Sequence, residues 1–169
     1  QTAAELGYST IAIHPEDDAL SQHVVSADES VLISGTGAQA YLDIEGIIKA
    51  ARDSQADMIH PGYGFLSENP GFASACEGAG LTFVGPTTQQ LETFGNKSAA
   101  RSRAADQGVP LLPGTTGNTT LEEALAFWEE HAGHGMVIKA ISGGGGRGMR
   151  IIESQADIEK QYERCRSEA

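Results

Sequence analysis

Residues 136–152 constrain this chain more than any other stretch. Two short apolar runs, Met136–Ile141 and Met149–Ile152, enclose Gly143-Gly144-Gly145-Gly146-Arg147-Gly148, which predicts strand, loop, strand. Four consecutive glycines remove every Cβ, so the backbone can approach a ligand closely and aim its N–H groups at anionic oxygens. Lys139 adds a mobile positive charge to the first strand, and Arg147 and Arg150 bracket the end of the loop. A flexible hairpin is the plain alternative. A hairpin, however, needs only about two to five turn residues, of which one or two are glycine. Gly-Gly-Gly-Gly-Arg-Gly behind a strand lysine exceeds that need, so the segment is expected to bind phosphate.

That local positive charge runs against the rest of the chain. Eleven Lys and Arg face 23 Asp and Glu among 169 residues, a formal net charge of −12. An acidic balance of this kind speaks against a nucleic-acid partner, which needs clustered cations. Its plain reading is solubility. The apolar share of 40% supplies an ordinary core, and the length suits one domain or one and part of a second. No apolar run approaches the ~20 residues of a membrane helix, and no signal peptide is visible. The chain opens at Gln1 in what reads as mid-helix, so its start is uninformative about targeting. Cys76 and Cys165 lack paired metal-ligand spacing and are too few for a disulfide framework, which makes a reducing compartment the default. Cys76 falls in a helical stretch and is expected to be a small core residue.

Along the chain, Gln1–Leu6 reads as a helix tail closed by Gly7, and Tyr8–Ile13 as a strand ended by His14-Pro15. Val31–Ile33 is a second short apolar run. Residues 43–54 have helical spacing, with Ile44, Ile47, Ile48 and Ala51 on one face. Met58-Ile59 predicts a brief strand, Phe72–Ala79 a helix ended by Gly80, and Leu81–Val84 a strand closed by Gly85-Pro86. Strand alternating with helix at this spacing implies a parallel, doubly wound sheet, in which ligands gather at the C-terminal strand ends. Helices are expected over 87–94 and 97–107, with a subdomain boundary near Leu112 after Val109-Pro110. Thr120 opens a helix through His131, with Glu122 and Glu123 where the helix dipole favours acids. Ser154 is expected to cap the last helix, with Asp157 at the capping-box position.

Three other stretches bear on chemistry. His60-Pro61-Gly62-Tyr63-Gly64-Phe65-Leu66-Ser67-Glu68-Asn69 follows a predicted strand. Its composition is compatible with a structural turn leading into a capped helix as well as with a binding loop. Gly95-Asn96-Lys97-Ser98 superficially resembles the end of a Walker A loop, but position 91 is Leu91 and Asn96 separates the last glycine from the lysine. Gly35, Gly37 and Ala40 match a short dinucleotide-binding string, yet 36–41 is not expected to run into a helix, because the apolar periodicity starts at Ile44. His14, His23, His131 and His134 are scattered and carry no assigned chemistry, and Trp128 is expected in the core.

The His60–Asn69 stretch, Gly95-Asn96-Lys97-Ser98-Ala99-Ala100-Arg101, Val109-Pro110 with Pro113-Gly114, and the Lys139–Arg150 loop together resemble the biotin carboxylase family, the ATP-grasp component of biotin-dependent carboxylases. The order and intervals match, and the resemblance covers essentially the whole chain. It implies an α/β fold: an N-terminal doubly wound parallel (pre-ATP-grasp) sheet over residues 1–85, bridging helices over 86–112, and part of an ATP-grasp lid over 113–169. It implies that ATP activates bicarbonate and that the carboxyl passes to biotin on a carrier domain, with a carboxyltransferase downstream. Lys97 and Lys139 would contact ATP, Gly143, Gly144, Gly145, Gly146, Arg147 and Gly148 would close over its phosphates, and Tyr63 and Gly64 would lie near biotin. The family's Mg2+ ligands, bicarbonate base and orienting arginines fall beyond Ala169, so the chain by itself is expected to be inactive and no catalytic residue is assigned within it. The family usually has Asp where this chain has Asn96, which leaves the partner of Lys97 open.

The resemblance further implies a homo-oligomeric parent in the cytoplasm or the mitochondrial matrix, with neither nucleic acid nor membrane as partner. The alternatives are a carbamoyl-phosphate-synthetase-like ligase, a non-catalytic nucleotide-binding module and an NAD-binding oxidoreductase.

Overall fold

The computed structural model describes residues 2–131, 134–140 and 148–167. Two compact units divide the chain, Gln1–Glu92 and Thr93–Ala169.

The first unit alternates strand and helix. Helix α1 (Thr2–Glu5) precedes β1 (Ile11–His14), α2 (Gln22–Val25) and β2 (Glu29–Leu32). There follow α3 (Gly37–Ala40), α4 (Ile44–Asp53), β3 (Met58–Ile59), α5 (Pro70–Gly78) and β4 (Thr82–Phe83). β1 pairs with β2 in parallel, Ile11 opposite Glu29 and His14 opposite Leu32. β3 pairs with β4 in parallel, Met58 opposite Thr82. A parallel pair needs a crossover, and α2 and α5 lie within the two crossovers. The expected parallel α/β arrangement is thus present, as two separately bonded pairs among the described residues.

α4 forms where the apolar spacing predicts it. Asp43 caps it by accepting from the Gly46 N–H at 3.0 Å, and Ile47, Ala50 and Ala51 are buried. The core beside it joins Ile47 and Ala51 to Leu66, Phe72, Cys76 and Leu81. Phe72 and Phe83 meet edge to face with centroids 5.9 Å apart. Cys76 is fully buried in this cluster, and burial pushes its thiol above the ordinary range, as a core role requires.

Two local expectations fail, each for a physical reason. Residues 36–41 do form a helical turn, α3. Its first N–H, on Gly37, is satisfied by the Asp17 carboxylate at 3.0 Å, a partner 20 residues away that local periodicity does not register. Ser154 does not cap the last helix directly. Its hydroxyl accepts from Ala156 N at 3.2 Å, and Asp157 N bonds back to the Ser154 carbonyl at 3.1 Å, which closes a 3-10 turn over Gln155–Asp157 first.

Helix α6 (Thr88–Gly95) spans the division between the units. The second unit contains α7 (Lys97–Asp106), α8 (Leu121–Glu130), β5 (Met136–Lys139), β6 (Met149–Ile152) and α9 (Ile158–Ser167). Thr120 and Glu123 form a reciprocal capping box at the start of α8, with bonds of 3.2 and 2.7 Å. β5 and β6 are antiparallel. They pack on α8 and α9 through Ala124, Met136, Ile152 and Ile158, and Trp128 is partly buried against that cluster.

Candidate functional site

The hairpin of β5 and β6 has two unlike faces. Strand side chains alternate, and the register sets Met136 opposite Ile152, Val137 opposite Ile151, Ile138 opposite Arg150 and Lys139 opposite Met149. Met136 and Ile152 face the helices and are buried. The other face presents Val137 at 47% exposure, Met149 at 43% and Ile151 at 67%, with Lys139 exposed beside them. A cation beside exposed apolar side chains, at the Lys139–Met149 end of the ribbon, suits a ligand with a flat apolar part and a charged tail. The sequence reading singled out Lys139 but none of its three apolar neighbours. The signal that could have found them is the alternation itself, since a strand backed by one layer of helices should be apolar on one face only.

Past the strands, the Ala140 N–H donates to the Gly148 carbonyl at 2.7 Å. The buried Cys165 thiol on α9 donates to the same oxygen at 2.8 Å. Gly148 has φ +66°, and a Cβ there would lie 2.6 Å from the Ala140 Cβ. Glycine is therefore obligatory at 148 for the chain to enter β6 beside Ala140. Of the expected phosphate-binding residues, Lys139 and Gly148 are thus brought together. Gly143, Gly144, Gly145, Gly146 and Arg147 lie outside the described residues. Arg150 is half-buried, and its guanidinium donates to the Met149 carbonyl at 2.9 Å.

Lys97 is the first residue of α7. The preceding Asn96 carries a structural duty: its side-chain oxygen accepts from Ser98 N and Ala99 N, both at 3.0 Å. Asn and Asp serve this N-cap about equally. Asn96 thus supplies the cap that an Asp would, without placing a negative charge beside Lys97. Farther along the helix, Arg101 donates to the Leu112 carbonyl and packs against Gly114, tying the 109–114 segment to α7. Asn96→Ala should lower the stability of the second unit by about 1 kcal/mol in urea unfolding, and Asn96→Asp should change it by less than about 0.5 kcal/mol.

In the first unit, the His60–Asn69 loop follows β3. His60 Nδ1 accepts from Gly62 N at 3.0 Å, and the Ser67 hydroxyl oxygen accepts from Gly64 N at 2.9 Å. Ser67 N returns a bond to the Gly64 carbonyl at 2.9 Å. Asn69 caps α5 by accepting from Phe72 N at 3.0 Å, with Pro70 in the first turn. Leu66 anchors the loop in the core, whereas Tyr63 is 98% exposed. The loop is thus a structured turn with a capped helix, and it also displays an aromatic side chain that contributes nothing to the core.

Tyr41 lies behind this loop. Its ring meets that of Phe65 at 5.3 Å, and its hydroxyl donates to Asp18 at 2.5 Å. Asp18 also accepts from the Ser21 hydroxyl, and these two bonds hold its carboxyl below the usual range. Burial, then the Asp18 carboxylate, raises the Tyr41 phenol above its ordinary value. His23 Nε2 lies 3.2 Å from the Ile13 carbonyl and 3.4 Å from the Tyr41 hydroxyl. Asp18 and Tyr41 were missed in the sequence, where 23 residues separate them and nothing local links them.

Comparison with known proteins follows the same division of the chain. Residues 1–91 match the family described as biotin carboxylase, N-terminal domain, and residues 96–169 match carbamoyl-phosphate synthase L chain, ATP binding domain. Pyruvate carboxylase of Bacillus subtilis is 45% identical over 172 residues, which cover 100% of this chain and 15% of that protein. Human mitochondrial pyruvate carboxylase is 45% identical, with 100% of this chain and 14% of that protein covered. The chain therefore spans about 15% of the length of the curated relatives it matches. Among solved structures, the biotin carboxylase domain dimer of Hydrogenobacter thermophilus 2-oxoglutarate carboxylase, in complex with MgADP, ADP and bicarbonate, superposes with a TM-score of 0.93 at 39% identity. That match covers 99% of this chain and 37% of the other. Campylobacter jejuni biotin carboxylase in a β,γ-ATP complex gives 0.94 at 38% identity, covering 99% of this chain and 38% of the other.

Proposed function

The chain belongs to the biotin carboxylase family, and on that premise we propose that it supplies the nucleotide-covering and acceptor-facing portions of an enzyme that carboxylates carrier-bound biotin with ATP and bicarbonate. The observation that carries this reading is the outward face of the β5–β6 hairpin, where Lys139 lies among Val137, Met149 and Ile151. A purine base packs on the apolar side chains, and the phosphates run toward the glycine segment, at whose edge Gly148 lies. Lys139 and Lys97 neutralise phosphate charge, and Gly143, Gly144, Gly145, Gly146, Arg147 and Gly148 supply backbone donors and a cation. Phosphoryl transfer consists mostly of positioning and charge neutralisation, which groups of these types provide. Tyr63 and Gly64 face the biotin ring.

Among the described residues, no group of three or more His, Cys, Asp or Glu could hold a metal ion. The ligands of Mg2+ are proposed to lie outside this chain. The bicarbonate-orienting groups are likewise proposed to lie outside this chain. We further propose residues 1–85, 86–112 and 113–169 as sheet domain, bridge and lid, and a homo-oligomer that works with a biotin carrier domain and a carboxyltransferase. No helix among the described residues is long and apolar enough to cross a membrane. Cytoplasm or mitochondrial matrix is the proposed compartment. A carbamoyl-phosphate-synthetase-like ligase is the second reading, favoured by the match over residues 96–169, but the match over 1–91 goes against it.

The test is Lys139→Ala in the complete protein as its gene encodes it. Removing one charged donor to phosphate should weaken ATP binding roughly 10- to 100-fold, with the KM for biotin within about twofold of the parent. Equal ATP affinity in variant and parent, measured by direct titration, would remove Lys139 from the nucleotide site.

A further inference from the structure

The loop that displays Tyr63 contains a strained backbone position inside the turn closed by the Gly64 and Ser67 bonds. Phe65 has φ +45°, in the left-handed region where a bulky side chain is strongly disfavoured. The neighbouring Gly62 and Gly64 also have positive φ, but they bear no Cβ and no comparable cost. Conformations of this kind persist only where surrounding structure over-determines them, and they concentrate at ligand clamps. Phe65 is 59% exposed, so burial in the core does not hold it. Its ring partner is Tyr41, at 5.3 Å.

Tyr41 is itself held from the opposite side. It ends α3, and its hydroxyl donates to Asp18 in the turn that follows β1. Asp18 is fixed in turn by the Ser21 hydroxyl, and its neighbour Asp17 fixes the start of α3 through Gly37 N. Segments following β1, β2 and β3 are thereby joined through one phenol. A core side chain would need only its ring. Tyr41 uses both ends, one on a carboxylate and one on the strained residue two positions from Tyr63.

We infer that Tyr41 is a positioning residue for the carboxyl acceptor: its ring on Phe65 and its hydroxyl on Asp18 hold the 60–69 loop in the conformation that presents Tyr63. This inference rests on the proposed reading of Tyr63 and Gly64 as the biotin-facing pair. Tyr41 itself touches no reacting group. Its effect is expected on the affinity for acceptor and not on the chemistry of the nucleotide.

The experiment uses the complete protein with free biotin as acceptor. Tyr41→Leu, which loses ring and hydroxyl, should raise the KM for biotin about tenfold while kcat and ATP affinity stay within about twofold. Tyr41→Phe keeps the ring contact and should raise KM only about two- to threefold. Amide exchange at Gly64 and Ser67, whose N–H groups bond within the loop, should accelerate in Tyr41→Leu, while Phe72 and Ala73 in α5 stay protected. In a Phe65→Gly background, which removes both strain and ring contact, Tyr41→Phe should have no further effect on KM. A role confined to fold stability would not produce that silencing.

A folded Tyr41→Leu with unchanged biotin KM and unchanged exchange overturns the inference. So does a variant in which ATP affinity and biotin KM deteriorate together. If Tyr41→Leu fails to fold, the Tyr41→Phe pair with and without Phe65→Gly decides: equal KM effects in both backgrounds overturn it. Accelerated exchange in Tyr41→Leu combined with an unaltered biotin KM in Tyr63→Ala would leave Tyr41 as the loop's clamp and overturn the biotin-facing reading instead.

Discussion

Gly148→Ala should destabilise the second unit by about 2–4 kcal/mol. Two effects add. An alanine at φ +66° carries the left-handed penalty, and its Cβ would lie 2.6 Å from the Ala140 Cβ. Neither residue is free to retreat, because the Gly148 carbonyl accepts from both Ala140 N and the Cys165 thiol. Gly108 offers the control. It has φ +69° and no heavy atom near its would-be Cβ within 4 Å, so Gly108→Ala should cost only about 1 kcal/mol. The difference between the two is the steric part. Ala140→Gly added to Gly148→Ala should recover that part and leave the strain. Trp128 is the only tryptophan of the chain and packs on the second unit's core, so its fluorescence in urea reads the transition directly. A Gly148→Ala cost no larger than that of Gly108→Ala would mean that the strand ends part easily.

Phe72→Ala should cost the first unit about 3–5 kcal/mol. Phe72 is 2% exposed, lies in the cluster of Ile47, Ala51, Leu66, Cys76 and Leu81, and meets Phe83 edge to face. Its removal leaves a cavity under α4 and loosens the helix whose cap, Asn69, ends the Tyr63 loop. Trp128 belongs to the other unit, so this transition is best followed by amide exchange in α4, where protection should fall with the global stability. A loss below about 1 kcal/mol would show that the cluster collapses to fill the space.

Much of this was legible in the residues, for identifiable reasons. α4 was readable because its apolar side chains recur at helical spacing and Asp43 stands at its start. β3 and β6 were readable because short apolar runs abut strong turn signals, His60-Pro61-Gly62 after β3 and the glycines up to Gly148 before β6. What escaped was non-local. α3 depends on an Asp17 carboxylate contributed from another segment. The Asp18–Tyr41–Phe65 linkage joins three segments with no common pattern. Asn96 was noticed in the sequence as a lost charge, and its capping bonds became evident only with the backbone of α7 in place. Thr120 and Ser154 look alike in sequence, each with an acid three positions on. One closes a capping box and the other a 3-10 turn, and hydroxyl-plus-acid spacing alone does not distinguish them.

The two-faced hairpin has a consequence for how this protein can be damaged. Along β5 and β6, neighbouring positions answer to different demands. Met136 and Ile152 hold the second unit together, while Val137, Lys139, Met149 and Ile151 face outward and contribute little to its core. If the outward face holds nucleotide as proposed, harm to folding and harm to ligand capture are sorted by parity along the strand. A variant one residue from its neighbour can leave the protein abundant but inert, or scarce but competent.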